Sequence, residues 1–162
     1  MQTAILGIGL PGSGKTTFLK GVASKRPNSV YICADDIREQ ITGDALNQTM
    51  NKLVWEILYN AVDLALKQGK DVIVDVTNYR QLERRKLVAH CKKHTDNIVG
   101  IVMNSHIDDC KRRNSMREKS VPDYVIDRMF QEFLKNPPSH DDGFEMLMEV
   151  NVELLEKGKE PL

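Results

Sequence analysis

The sequence predicts a three-layer α/β/α domain: a mainly parallel sheet of about five strands between helices, with a helical lid over about residues 111–121. Three observations carry that expectation. Short apolar runs alternate with segments of helical period, the order expected of βαβ units around a buried parallel sheet. A glycine-rich stretch joins the first apolar run to the first helical segment. The length, 162 residues with 41% hydrophobic and 28% charged, suits one compact domain spanning the whole chain.

Thr3–Ile8 reads as the first strand, and Phe18, Leu19, Val22 and Ala23 mark one face of the helix that follows. Ser29–Cys33 is the second strand. A long helix is expected from about Leu46 to Lys67, where Leu46, Met50, Leu53, Val54, Ile57, Leu58, Ala61, Val62 and Ala65 step by three or four until Gly69 stops it. Val72–Val76 and Ile98–Asn104 are strands three and four. Leu82–Cys91 and Asp108–Arg117 read as basic amphipathic helices. Pro122 opens a further helix carrying Ile126, Met129, Phe130, Phe133 and Leu134, which Pro137-Pro138 ends. Phe144–Val150 supplies a last strand.

Lys and Arg number 23, as do Asp and Glu, but the zero sums unlike parts. Residues 80–119 hold 11 basic and 5 acidic groups, net +6, and residues 120–162 hold 4 basic and 10 acidic, net −6. Broad coating of nucleic acid is excluded; a local anionic site is not. Three widely spaced cysteines without C-x-x-C argue against a disulfide framework or thiolate zinc site and for a reducing, cytoplasmic setting. Ala4–Leu10 lacks the basic leader of a signal peptide, and no apolar run approaches the roughly 20 residues that span a bilayer, so no membrane partner is expected.

Gly9-Leu10-Pro11-Gly12-Ser13-Gly14-Lys15-Thr16 fits G-x-x-x-x-G-K-[ST] between a strand and a helix, the context a phosphate-binding P-loop requires. The glycines let backbone N–H groups converge on phosphate oxygens at a helix N-terminus. The candidate nucleotide-binding residues are Gly9, Pro11, Gly12, Ser13, Gly14, Lys15, Thr16 and Thr17. Lys15 brings positive charge to the β- and γ-phosphates, and the Thr16 hydroxyl is placed for Mg²⁺. The chain has no N-K-x-D for reading guanine, so ATP is favoured, with other nucleoside triphosphates open.

Asp35-Asp36-Ile37-Arg38 follows the second strand, where the crevice of an open α/β sheet lies. Asp35 there can accept the proton of an attacking hydroxyl, and Arg38 can grip an anionic acceptor. The alternative makes Asp35 a helix cap and Arg38 a solvated charge. Asp75, in an apolar strand, needs a partner, which Thr16, Mg²⁺-bound water, local backbone or Asn78 could supply. Thr77 and Asn78 at the strand tip are candidate acceptor contacts. Arg113 and Arg117, spaced i and i+4, would share a helix side and close over the triphosphate as arginine fingers. Arg80, Arg84, Arg85, Lys86, Lys92 and Lys93 read as a solvated face. His90 and His94 read as ordinary surface histidines, and Trp55 and Tyr59 as partly buried against a neighbouring element.

These residues resemble the kinase domain of bacteriophage-type 5′-hydroxyl polynucleotide kinases and their small P-loop relatives over about Ala4 to Leu134. The likeness rests on G-L-P-G-S-G-K-T, D-D-I-R, D-V-T-N followed by E-R-R, and R-R-N-S-M-R-E-K-S-V-P. It implies Lys15 and Thr16 on ATP and Mg²⁺, Asp35 as base for a 5′-hydroxyl, Arg38 on the acceptor phosphate, and Arg113 and Arg117 on the donor phosphates. Asp35, Lys15 and Arg117 are then the catalytic candidates, and Thr16 and Asp75 the metal candidates. The expected acceptor is the 5′-hydroxyl end of DNA or RNA. Small-molecule and tRNA-linked acceptors share the scaffold, and a nucleotide-dependent binding module without transfer is the alternative outside enzymes.

Overall fold

The computed structural model describes residues 1–153. Its strands are β1 (Ala4–Ile8), β2 (Ser29–Cys33), β3 (Asp71–Asp75), β4 (Ile98–Asn104) and β5 (Met146–Asn151). They form one parallel sheet in the order β2-β3-β1-β4-β5. Helices are α1 (Lys15–Ser24), α2 (Ala34–Thr42), α3 (Asn51–Lys67), α4 (Gln81–Cys91), α5 (Ile107–Ser115) and α6 (Asp123–Lys135), with a 3₁₀ turn at His140–Asp142. The expected three-layer fold is therefore present, and no helix of the described residues is long and apolar enough to cross a membrane.

β1 is buried along its whole length, because helices cover both of its faces. On one face Leu19 of α1, with Phe18 and Val22 beside it, packs on Ile5, Ile73, Ile101 and Val150. On the other, Val54, Leu58, Val62 and Leu66 of α3 and Leu87 and Val88 of α4 cover Leu6, Ile8, Val72 and Val74. Burying each such aliphatic side chain contributes about 1.5–3 kcal/mol, which outweighs the weak helix propensity of the valines. A third cluster joins Leu10 of the glycine loop to Cys110 of α5 and Ile126 of α6.

The long helix starts at Asn51 rather than Leu46. Asp44 Oδ1 accepts from Leu46 N at 3.0 Å and Asn47 Oδ1 accepts from Thr49 N at 2.9 Å, and such local side-chain bonds compete with helix. Leu46 and Met50 are left exposed. The expected lid helix is shorter too. α5 ends at Ser115, and Asn114 folds the chain back by donating Nδ2 to Val121 O at 2.7 Å and accepting from Val121 N at 3.2 Å.

The sheet order reverses at β1: the chain passes from β1 to the β2–β3 side and returns to β4 and β5 on the other. Ligands of open α/β sheets bind beyond the strand C-termini at such a switch point. The glycine loop leaves β1 there, and the Cys33–Asp75 register sets the ends of β2 and β3 side by side.

Candidate active site

The loop between β1 and α1 takes its shape from left-handed residues that suit glycine. Gly12 has φ +80°, and a Cβ there would lie 2.1 Å from the Cys110 carbonyl oxygen, so only glycine lets α5 rest on the loop. Gly14, at φ +82°, is the N-cap of α1 and has no side-chain cap, which leaves the first-turn N–H groups of Lys15, Thr16 and Thr17 without intrahelical acceptors. Donors and helix dipole together suit a phosphate. Thr16 and Thr17 are exposed and Lys15, Gly14, Gly12 and Pro11 half-buried, whereas Ser13 is buried with an unpartnered Oγ. Gly9 N donates to Thr77 O at 3.0 Å, tying the loop to the end of β3.

Asp75 organises the centre. Its Oδ1 lies 3.3 Å from Lys15 Nζ, and its Oδ2 accepts from Thr16 Oγ1 at 2.7 Å and from the Tyr31 hydroxyl. Burial by itself would raise the Asp75 pKa, but the Lys15 ammonium and the Tyr31 and Thr16 hydroxyls outweigh it and hold the carboxyl below its usual range. For Tyr31, burial and then the bond to Asp75 push the phenol well above its ordinary value, so it stays a donor. Of the partners open to Asp75, the structure selects Thr16 and adds Lys15 and Tyr31. Sequence reading missed Tyr31, which sits on the same sheet face as Asp75 on the neighbouring strand and looks from sequence like any strand aromatic.

A hydroxyl and a carboxylate oxygen 2.7 Å apart are hard donors of the kind Mg²⁺ accepts alongside waters and substrate phosphates. Among the described residues no group of three or more His, Cys, Asp and Glu could hold a metal unaided. The donor set at Thr16 and Asp75 thus fits Mg²⁺ brought with a nucleotide.

On the adjacent strand end, Asp35 is not a cap: Cys33 holds the N-cap of α2. Its side chain is 60% exposed and pairs with Arg38 Nη1 at 2.6 Å. Arg38 is buried rather than solvated, held also by Asn51 Oδ1 at 3.3 Å from Nη2. An open carboxylate beside a fixed guanidinium can take a proton and hold an anion.

The strand-tip residues diverge from expectation. Thr77 serves the loop through its carbonyl. Asn78, at φ 52°, is buried and donates Nδ2 to Gly7 O at 2.8 Å, so its amide secures β1 rather than facing an acceptor. The lid arginines part company as well. Arg113, in the last turn of α5, donates from Nη1 to Gly12 O at 3.2 Å and Ser105 Oγ at 2.9 Å, already at the loop. Arg117 lies past the end of α5 and is exposed, so the two do not share a helix side. Lys119 Nζ meets Asp44 Oδ1 at 3.2 Å, linking the turn after α5 to the turn after α2.

Two readings made outside the site also change. Arg84 is fully buried, pairing through Nε with Asp142 Oδ2 at 3.0 Å, and Arg85 Nε takes Asp142 Oδ1 at 2.9 Å. His90 and His94 are half-buried, both with Nε2 on Asp63 Oδ1 at 2.8 and 2.6 Å. Trp55 and Tyr59 pack partly buried against the main core, as expected.

Comparison with known proteins gives a family and a fold. The family described as AAA domain matches residues 5–136. An L-seryl-tRNA(Sec) kinase of Methanococcus maripaludis is 30% identical over 129 residues, covering 77% of this chain and 50% of that protein. An adenylate kinase of Nautilia profundicola is 30% identical over 172 residues, covering 94% and 90%. A chain of the Pnkp1/Rnl/Hen1 RNA repair complex superposes with TM-score 0.76 at 23% identity, over 83% of this chain and 44% of that one, a likeness of fold. This chain therefore spans about half the length of the first of these relatives and less than half of the repair-complex chain.

Proposed function

The chain belongs to the AAA domain family, and two of its relatives are named as kinases; from that premise we propose that it transfers the γ-phosphoryl group of ATP to a hydroxyl, with the 5′-hydroxyl end of DNA or RNA as acceptor. The observation that carries the reading is the meeting of two sites: the Lys15–Asp75–Thr16 cluster beneath the glycine loop, and the Asp35–Arg38 pair one strand away. A nucleotide switch has no use for the second. The acceptor oxygen attacks the γ-phosphorus while its proton passes to Asp35, and the bond to the β,γ-bridging oxygen breaks, releasing ADP.

The side chains divide this work. Lys15, held by Asp75 before nucleotide arrives, exchanges that carboxylate for phosphate oxygens. Thr16 and Asp75 would hold Mg²⁺, which would supply positive charge to the phosphates. Arg113 is at the loop to meet the γ-phosphate, and Arg117 reaches it when residues 116–121 fold over. Arg38 offers the acceptor's phosphate a charged donor beside Asp35. The resemblance in four separated motifs favours a polynucleotide end, while the seryl-tRNA kinase relative supports a tRNA-linked acceptor as second reading.

Incubation with γ-labelled ATP, Mg²⁺ and a 5′-hydroxyl oligonucleotide tests the proposal. Wild type labels the strand, Lys15→Ala does not, and Asp35→Asn lowers kcat by two or more orders of magnitude, the scale of general-base catalysis, about 10²–10⁴-fold. Wild-type labelling no greater than that of Asp35→Asn removes the polynucleotide reading.

A further inference from the structure

One residue past Asn78 the chain enters the wall of an open groove of about 780 Å³, bounded on the other side by α6 and lined by Tyr79, Arg80, Arg128, Gln131, Glu132, Leu134 and Lys135. Its two walls are fastened from below by one guanidinium. Buried Arg84 donates from Nη1 to Asn78 O and Tyr79 O, both at 3.1 Å, and from Nη2 to Asn136 O at 2.6 Å, while its Nε pairs with Asp142. The groove is thus preorganised, and its Tyr79–Arg80 wall continues the loop that carries Thr77 to the glycine loop.

Its chemistry is that of a strand with charged links and flat bases. Arg128, Gln131, Glu132 and Lys135 fall at i, i+3, i+4 and i+7 on α6, one stripe of the helix, while Ile126 and Phe133 hold the other side to the domain. Arg80 lies over the Tyr79 ring, 5.3 Å from its centroid, so an aromatic face and a guanidinium plane line the opposite wall. The lining holds three cations, Arg80, Arg128 and Lys135, and one carboxylate, Glu132, which accepts from Asn136 Nδ2 at 3.3 Å. Among the described residues none of these three cations has a carboxylate within 4.0 Å, whereas Lys111, Arg112 and Lys119 nearby in sequence are all paired. Unneutralised cations interleaved with an aromatic ring in a fixed groove are the elements of single-stranded nucleic-acid recognition.

We propose that this groove binds the sugar–phosphate backbone of the single strand whose terminal hydroxyl is presented to Asp35. The inference rests on the kinase reading above and gives its nucleic-acid acceptor a second contact away from the reacting end, one that a small metabolite would not extend to reach.

Fluorescence anisotropy of 3′-labelled single strands about 12 nucleotides long, one DNA and one RNA, tests it without ATP. The variant is Arg80→Ala/Arg128→Ala/Lys135→Ala, with Arg128→Glu alone as a milder second. A fluorescent ATP analogue measured in parallel shows that the fold and glycine loop survive. Each phosphate contact contributes about −0.7 to the slope of log affinity against log salt for single strands, so the triple variant's slope is about 2 units shallower. From about 50 to 200 mM salt, wild type then loses about 20-fold more affinity than the variant. Arg128→Glu weakens strand binding severalfold with the analogue bound as before. Equal affinity and slope in wild type and triple variant, or no wild-type binding to either strand, overturns the groove. Phosphate transfer to a nucleoside or metabolite without strand binding leaves the kinase reading standing while the groove falls; failure of wild type to bind the ATP analogue counts against the kinase reading alone.

Discussion

At the scale of single residues the site depends on Asp75, and Asp75 depends on what donates to it. On the proposed reading Lys15 would leave Asp75 when phosphates arrive, and Thr16 would share its oxygen with Mg²⁺. Tyr31 is the donor that the reaction does not call away. Tyr31→Phe keeps the ring packed beside α1 and deletes only the hydroxyl. We expect a stability loss of about 1 kcal/mol, the usual net worth of one such bond, measured by urea unfolding. We also expect a several-fold rise in the Mg²⁺ concentration that supports nucleotide binding, with metal-free nucleotide binding little changed. A purely structural tyrosine would lower stability and leave the Mg²⁺ dependence alone.

Between elements, two ion pairs set positions that hydrophobic packing alone would leave loose. Arg84 joins α4, the β3–α4 loop, the end of α6 and the 3₁₀ turn, and neither it nor Asp142 is accessible. Arg84→Met leaves Asp142 with Arg85 as its one cation and takes the donor from the Asn78, Tyr79 and Asn136 carbonyls, and should cost about 3 kcal/mol. Adding Asp142→Leu should restore a good part of that, a non-additivity read by a double-mutant cycle. Asp63 on α3 receives His90 of α4 and His94 of the turn that follows it. Burial would raise its pKa, but the bond from His94 and the charge of His90 prevail and lower it. A carboxyl so shifted contributes stability that is full above its unfolded value, about 3.9, and drains away as pH falls through its lower folded value. Urea midpoints of wild type and Asp63→Asn should therefore differ at pH 7 and converge on acidification below about pH 4.

The whole molecule shows why some features are legible in sequence and others are not. The five strands and the glycine loop are contiguous signals, read from period and composition, and the structure places the strands close to their expected bounds. Asp35 and Arg38 are also near in sequence, one helical turn apart. The start of α3 was hidden because Asx turns at Asp44 and Asn47 capture apolar residues that keep the helical period. Arg117 was misplaced because i, i+4 spacing is silent about where a helix stops. Tyr31 and Arg84 escaped because their carboxylates lie 44 and 58 residues away, a distance only the assembled sheet and its helices close. Cysteine count argued for a reduced chain, and burial adds a sharper consequence. Cys33, Cys91 and Cys110 are all buried, and burial, followed by the charge of Asp63, pushes the Cys91 thiol up to about 12. Native protein mixed with a colorimetric disulfide reagent should release no fast thiolate, and denatured protein three equivalents. The described surface is thereby free of cysteine thiols. A cysteine installed in place of Lys119, whose side chain is 44% exposed, would take a dye alone, and energy transfer from it to a fluorescent nucleotide would report the turn after α5 in motion during each turnover.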